Sequence, residues 1–222
     1  MLIRTIRTTT HGRYLLRPAP AGAPAPVVVG FHGYAQHAQT MLDELERIPG
    51  AERWTLVSIQ GLHRFYNLKA NEVVAGWMTR EDRDLAIADN VAYVAAVVEE
   101  VTRGQAAPRL AYVGFSQGVA TAFRAAAHGA VAAHAVVALG GDIPPELRHG
   151  DTRLPPVLIA RGERDEWYTA ATLATDAAWL VTRGLEHVTL TFDGGHEWTP
   201  AFRQAAADFL ATRLDADPTR GA

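Results

Sequence analysis

The stretch LAYVGFSQGVATAF, Leu110 to Phe123, decides how the whole chain is read. It opens on an apolar run, Leu110 to Phe115, suited to a strand buried on both faces. It continues into an alanine-rich run, Gln117 to His128, with strong helix formers. Between them stands Ser116, with Gly114 and Gly118 two residues away on either side. A bare Gly-x-Ser-x-Gly match equally describes a passive serine in a glycine-tolerant turn. A serine between strand and helix is different. Its hydroxyl leaves the sheet edge only through a sharp turn that crowds the residues two before and two after, so both must be small. The helix behind it would also aim its positive N-terminal end at a developing oxyanion.

Working outward, the same alternation recurs. Val27 to Phe31 reads as a buried strand ending in the glycine-containing loop GFHGY, and Ala38 to Ile48 carries apolar residues at helical spacing up to Pro49-Gly50. WTLVSIQG is a strand. Arg83 to Thr102 is a helix with Gly104 as its cap. AVVALGG and PVLIARG are strands, Thr169 to Thr182 is a helix, HVTLTF is a strand, and Pro200 to Leu214 is a closing helix with proline at its first position. At the N-terminus, Ile3 to Thr10 and Tyr14 to Leu16 around His11-Gly12-Arg13 predict an antiparallel hairpin. Pro18 to Pro26 reads as a stiff surface connection, and Gly61 to Gly76 as a long irregular segment. The pattern predicts an α/β fold with a mostly parallel central sheet, helices on both faces, and one domain over residues 1–222.

Composition removes several function classes. The chain has 222 residues, 48% apolar, with a net charge of -3 and no basic run, so nucleic acid is not an expected partner. There is no cysteine, which excludes disulfides, thiolate metal sites and a cysteine nucleophile. Arg4 and Arg7 interrupt any secretory apolar core, and the most apolar stretch, Ala125 to Gly141, falls short of the ~20 residues of a membrane span. A soluble, cytoplasmic protein without integral membrane association is expected. The sequence is compatible with a monomer and with a homodimer.

In a parallel sheet, ligands sit beyond the carboxyl ends of the strands, so partners for Ser116 must follow strands. A serine hydroxyl needs a base. His196, in DGGHEW, directly follows HVTLTF, whereas His187, His128 and His134 fall at the opposite sheet end. The base needs an acid to fix its tautomer. Asp165 follows PVLIARG and is preferred over Asp142, which follows AVVALGG. The order Ser116, Asp165, His196 is that of an α/β-hydrolase. Two N–H donors complete an oxyanion hole: Gln117, directly after the serine, and Tyr34, in the loop after the early strand. Trp77, Trp167, Tyr168 and Trp198 lie in or beside catalytic-end loops. Each serves equally well as an aromatic substrate wall or as a cap on the core.

With these residues assembled, the chain resembles the phospholipase/carboxylesterase family of small α/β-hydrolases, which includes bacterial carboxylesterases and acyl-protein thioesterases. VVGFHGYAQHA, GWMTRED, YVGFSQGVA, ALGGDIP, ARGERDEWY and GGHEW carry the resemblance, from about Val27 to Leu210. It implies Ser116 as nucleophile, Asp165 as acid, His196 as base, Tyr34 and Gln117 as oxyanion donors, and Trp77 lining the substrate cleft; Trp167 and Trp198 join it as substrate-binding candidates by their place in the loops. It implies hydrolysis of a small-molecule ester with no metal or organic cofactor. Tyr34 stands where relatives often carry another bulky apolar residue, and Gly140-Gly141-Asp142 where they often show Ser-Gly, which changes the pocket. A thioesterase or lysophospholipase would use the same residues. A non-catalytic binding protein on this fold would usually have lost one of the three.

Overall fold

The computed structural model describes residues 1–20 and 25–215. In chain order the elements are β1 (Arg13–Arg17), β2 (Val27–Phe31), α1 (Ala38–Glu46), β3 (Thr55–Gln60), β4 (His63–Asn67), β5 (Glu72–Gly76) and α2 (Arg83–Thr102). There follow β6 (Leu110–Phe115), α3 (Gln117–His128), β7 (Ala135–Leu139), β8 (Val157–Gly162), α4 (Ala170–Thr182), β9 (His187–Phe192) and α5 (Pro200–Leu214). The main sheet has seven strands in the order β1-β3-β2-β6-β7-β8-β9, parallel throughout except at β1.

The sheet is buried on both faces because its central strands are apolar at every position. In β2, Val28 packs into one core with Met41, Leu45, Phe202 and Leu210 from α1 and α5. Its neighbours Val27, Val29 and Phe31 pack into a second core with Val94, Val98, Phe123 and Leu180 from α2, α3 and α4. Strand geometry alone sends alternate side chains to opposite faces. Three helices start on a residue whose side chain accepts one of the orphan N–H groups of the first turn: His37 before α1, Thr169 before α4 and Thr199 before α5. Among the described residues, no helix is long and apolar enough to cross a membrane.

Two expectations need correction. The antiparallel element at the N-terminus is present, but residues 3–10 are not part of it. β1 pairs with β3, Tyr14 opposite Ile59 and Leu16 opposite Val57. That pairing covers the free edge of β3 and lets Leu15 and Tyr14 pack against the cores on opposite faces, which a local hairpin could not do. The segment Gly61 to Gly76 is not irregular either. It folds as a β4–β5 hairpin, His63 opposite Gly76 and Asn67 opposite Glu72, with Asn71 in the left-handed region at its turn (φ 53°). The Pro18 to Pro26 connection lies partly outside the described residues.

Candidate active site

Ser116 sits where β6 becomes α3, with φ 52° and ψ -120°. A positive φ is strained for any residue with a Cβ. The flanking glycines make the turn sterically feasible. A Cβ on Gly114 would stand 2.6 Å from Val119 Cα, and one on Gly118 would stand 2.1 Å from the Phe31 carbonyl oxygen. Neither position accepts a side chain. The Ser116 N–H donates to Leu139 O at 2.9 Å, which ties the turn to the end of β7.

The loop after β8 brings Asp165 to the same sheet edge. Its carboxylate is buried and divided between two tasks. Oδ1 accepts the Trp167 and Tyr168 N–H groups, both at 2.9 Å, while Oδ2 accepts from His196 Nδ1 at 2.8 Å. His196 comes from the loop after β9 and is half-buried, its ring packed 5.0 Å from that of Phe115, the residue before Ser116. The loop after β7 closes the group. A Cβ on Gly140, which has φ 66°, would lie 2.8 Å from His196 Cε1, and one on Gly141 would lie 2.6 Å from the Ser116 carbonyl. Four loops, each following a different parallel strand, thus converge on one point. The structure joins Asp165 to His196 directly and places Ser116 next in the chain to Phe115, whose ring meets the imidazole. Asp142 is exposed and does not reach the imidazole.

Gln117 follows the serine directly, and Tyr34, in the loop after β2, meets Gly76 on the same side as the Gln117 side chain. Neither backbone N–H donates to an acceptor among the described residues, so both are free for a ligand. Their positions are held through the end of β5. The Ala35 N–H donates to Ala75 O at 3.0 Å, and the Ala75 N–H to Gln36 O at 2.8 Å. The Gln117 side chain accepts the Trp77 N–H at 2.8 Å and donates to Met78 O at 3.0 Å. The exposed Tyr34 ring stacks on Phe65 of β4 at 5.5 Å.

The cleft over Ser116 has a volume of about 450 Å³, and Met78, Gln117, Asp142, Trp167 and Tyr168 contribute to its lining. Of the three tryptophans expected there, only Trp167 lines it, 83% exposed. Trp77 is fully buried: its ring lies against Phe31 and His32, and its Nε1–H donates to His32 O at 2.9 Å. Trp77 therefore holds the cleft from behind and does not line it. Trp198 is half-buried beneath the site, packed on Phe115 and Phe202. Its contact passes through the ring that supports His196.

The phospholipase/carboxylesterase family model matches residues 18–214. The chain belongs to that family. Among solved structures, a carboxylesterase from Mesorhizobium loti matches with TM-score 0.75 and 20% identity, covering 90% of this chain and 94% of its own. Acyl-protein thioesterase 2 from Zea mays matches with TM-score 0.71 and 20% identity over 92% of this chain and 100% of its own. The Bacillus cereus carboxylesterase matches with TM-score 0.72 and 16% identity, over 91% and 94%. At such identities these likenesses establish the fold. No functionally curated protein matches the sequence.

Within this phospholipase/carboxylesterase chain, two supporting residues escaped the sequence reading. Arg161 at the end of β8 is buried, its Nε–H donating to Tyr168 O at 2.8 Å and its Nη2 to Glu163 O and Asp165 O at 3.1 Å. One guanidinium thereby fixes the loop that carries Asp165. Asp176 on α4 is fully buried and braces both cleft walls, accepting from Tyr168 Oη at 2.8 Å and from the Ile143 N–H at 3.3 Å, and pairing with Arg148. Burial nevertheless pushes its carboxyl above the ordinary range.

His32, in the Tyr34 loop, gives the family member a pH limit. Its Nε2 must accept, because the Gly61 N–H donates to it at 3.0 Å, so the proton sits on Nδ1 and is donated to Gly33 O at 2.7 Å. A second proton would remove the acceptor. Burial lowers the pKa from 6.5 to about 4. Above pH 6.5 folded and unfolded chains both hold neutral imidazole; between 6.5 and about 4 only the unfolded chain gains the proton. Stability should therefore fall as pH drops through that window, with His32 contributing about 3 kcal/mol. Urea unfolding at the two ends of the window should show this drop, and His32→Gln should flatten it. An equal drop in the variant would remove His32 as the cause.

Proposed function

We propose that the protein is a serine carboxylesterase that hydrolyses small-to-medium acyl esters through an acyl-enzyme intermediate, all within one α/β-hydrolase domain. The observation that carries this reading is the divided Asp165 carboxylate. Two backbone N–H groups immobilise one oxygen, so the other holds His196 by Nδ1 and leaves the Nε2 lone pair to act as the base.

In the first half-reaction Ser116 Oγ bonds to the acyl carbon while its proton passes to His196 Nε2. The carbonyl oxygen becomes an oxyanion held by the Tyr34 and Gln117 N–H groups. His196 gives that proton to the leaving alkoxide as the carbon–oxygen bond breaks. A water then attacks the acyl-enzyme, His196 takes its proton and returns it to Ser116, and the carboxylic acid leaves. A thioester would follow the same path with a thiolate leaving group. Comparing oxyester and thioester hydrolysis over an acyl-length series tests the reading: oxyester turnover that is absent at every length would refute it.

Gly140 supplies a second test. Gly140→Ala adds a Cβ 2.8 Å from the His196 ring and 3.2 Å from Asp165 Oδ2, at a φ of 66°. A displacement of about 1 Å at a reacting group costs on the order of 100-fold. Esterase activity should fall by about that factor while far-UV circular dichroism stays unchanged. Full activity would mean that this loop does not set the imidazole.

A further inference from the structure

A second cavity, of about 290 Å³, lies between β1, the N-terminus of α1 and the β4–β5 hairpin, and shares no lining residue with the Ser116 cleft. Its polar lining comes from Arg13, Arg64, His37, Gln60 and Gln39, the last donating from Nε2 to Asp43 Oδ1 at 2.7 Å, over Leu15 and Val73. No carboxylate lines it, and neither arginine pairs with an acid among the described residues. Two cationic side chains beside one cavity with no lining counter-charge make its potential positive, which favours an anion.

The donors are oriented from within the fold. Gln60 is 93% buried, with an exposure of 7%. Its Oε1 accepts the Ala38 N–H at 2.7 Å, which fixes the amide and leaves Nε2 without an acceptor among the described residues. His37 caps α1 with Nδ1, accepting the Thr40 N–H at 3.1 Å, while its Nε2 lies 3.4 Å from the Thr40 hydroxyl, so this ring is engaged within the cap. Arg64 is steadied by donating from Nη2 to His11 O at 2.9 Å. Arg13, Arg64 and the Gln60 amide thus offer donors with no carboxylate lining the cavity, the complement of a group that only accepts. Paired guanidiniums favour a multiply charged, multidentate oxyanion over a halide or a single carboxylate.

We propose that this cavity is a binding site for a phosphate group, separate from the Ser116 cleft. Titration calorimetry with inorganic phosphate, at neutral pH and with ionic strength held constant by sodium chloride, tests it on the full chain. The wild type should bind. Arg13→Met and Arg64→Met should each weaken binding by about tenfold or more. Gln60→Glu keeps an acceptor for the Ala38 N–H but places a negative charge in the cavity, and should abolish binding. The arginine side chains lie on exposed residues, so those two variants decide the matter if Gln60→Glu does not fold. Phenyl phosphate in the same titration separates the sources: tighter binding of the ester assigns the site to monoesters, tighter binding of inorganic phosphate to the free ion, and either supports the site. Binding equal in wild type and both arginine variants, or phosphate no tighter than acetate, would overturn it.

Discussion

Ser116→Ala should cut turnover of a p-nitrophenyl ester by about 10⁴- to 10⁶-fold. The size of the effect follows from the residue's position in a unit. Asp165 and His196 have no nucleophile to serve once Oγ is gone, so removing it disables all three together. The fold should not suffer, because the strain at φ 52° belongs to the backbone and the turn is held by the Leu139 carbonyl rather than by the hydroxyl. Thermal unfolding of the variant should match or slightly exceed that of the wild type. Activity above about a tenth of the wild-type level would remove Ser116 from the reaction.

Asp165→Asn is expected to be nearly as damaging, on the order of 10⁴-fold in kcat. The direction can be worked out from its hydrogen bonds. The Trp167 and Tyr168 N–H groups donate to Oδ1, so an asparagine must keep its carbonyl oxygen there. Its NH₂ group then replaces Oδ2 and points at His196 Nδ1, which now has to accept. The imidazole proton moves to Nε2, where it faces Ser116 and cannot accept the serine proton. The variant should fold, bind substrate with little change in KM, and fail in kcat. Asp165→Ala, which frees both N–H groups, should additionally lower thermal stability. A kcat for Asp165→Asn within tenfold of wild type would show that another group orients His196.

Much of the architecture was legible because it rests on periodicity. The apolar stripe of Arg83 to Thr102 and the alanine-rich run after Ser116 became α2 and α3 with the expected bounds. The approach of Asp165 to His196 was readable because, in a parallel sheet, loops after strands share one edge. What was not legible depended on non-local choices. The partner of β1 lies 39 to 47 residues away in β3, and local turn signals such as His11-Gly12 cannot report that. The β4–β5 hairpin is short and exposed on both faces, at Arg64, Tyr66 and Val73 on one and His63 and Glu72 on the other, so its alternation is weak; Asn71 before Glu72 was the available turn signal. Placement near a catalytic-end loop did not distinguish a tryptophan that faces the cleft from one that faces the core. Trp77 turned inward because its indole N–H found the His32 carbonyl. Arg161 reads as a surface charge at a strand end, yet its guanidinium is buried against three carbonyls. Such capture is a property of loop geometry, which no residue pattern encodes.

The central claim is that Ser116 is the residue that becomes acylated. Treating the protein with a fluorophosphonate and mapping the adduct by peptide mass spectrometry addresses it directly. One stoichiometric adduct is expected on the peptide containing Ser116, lost in Ser116→Ala and strongly slowed in Asp165→Asn. An unmodified Ser116, or an adduct on any other residue, would contradict it.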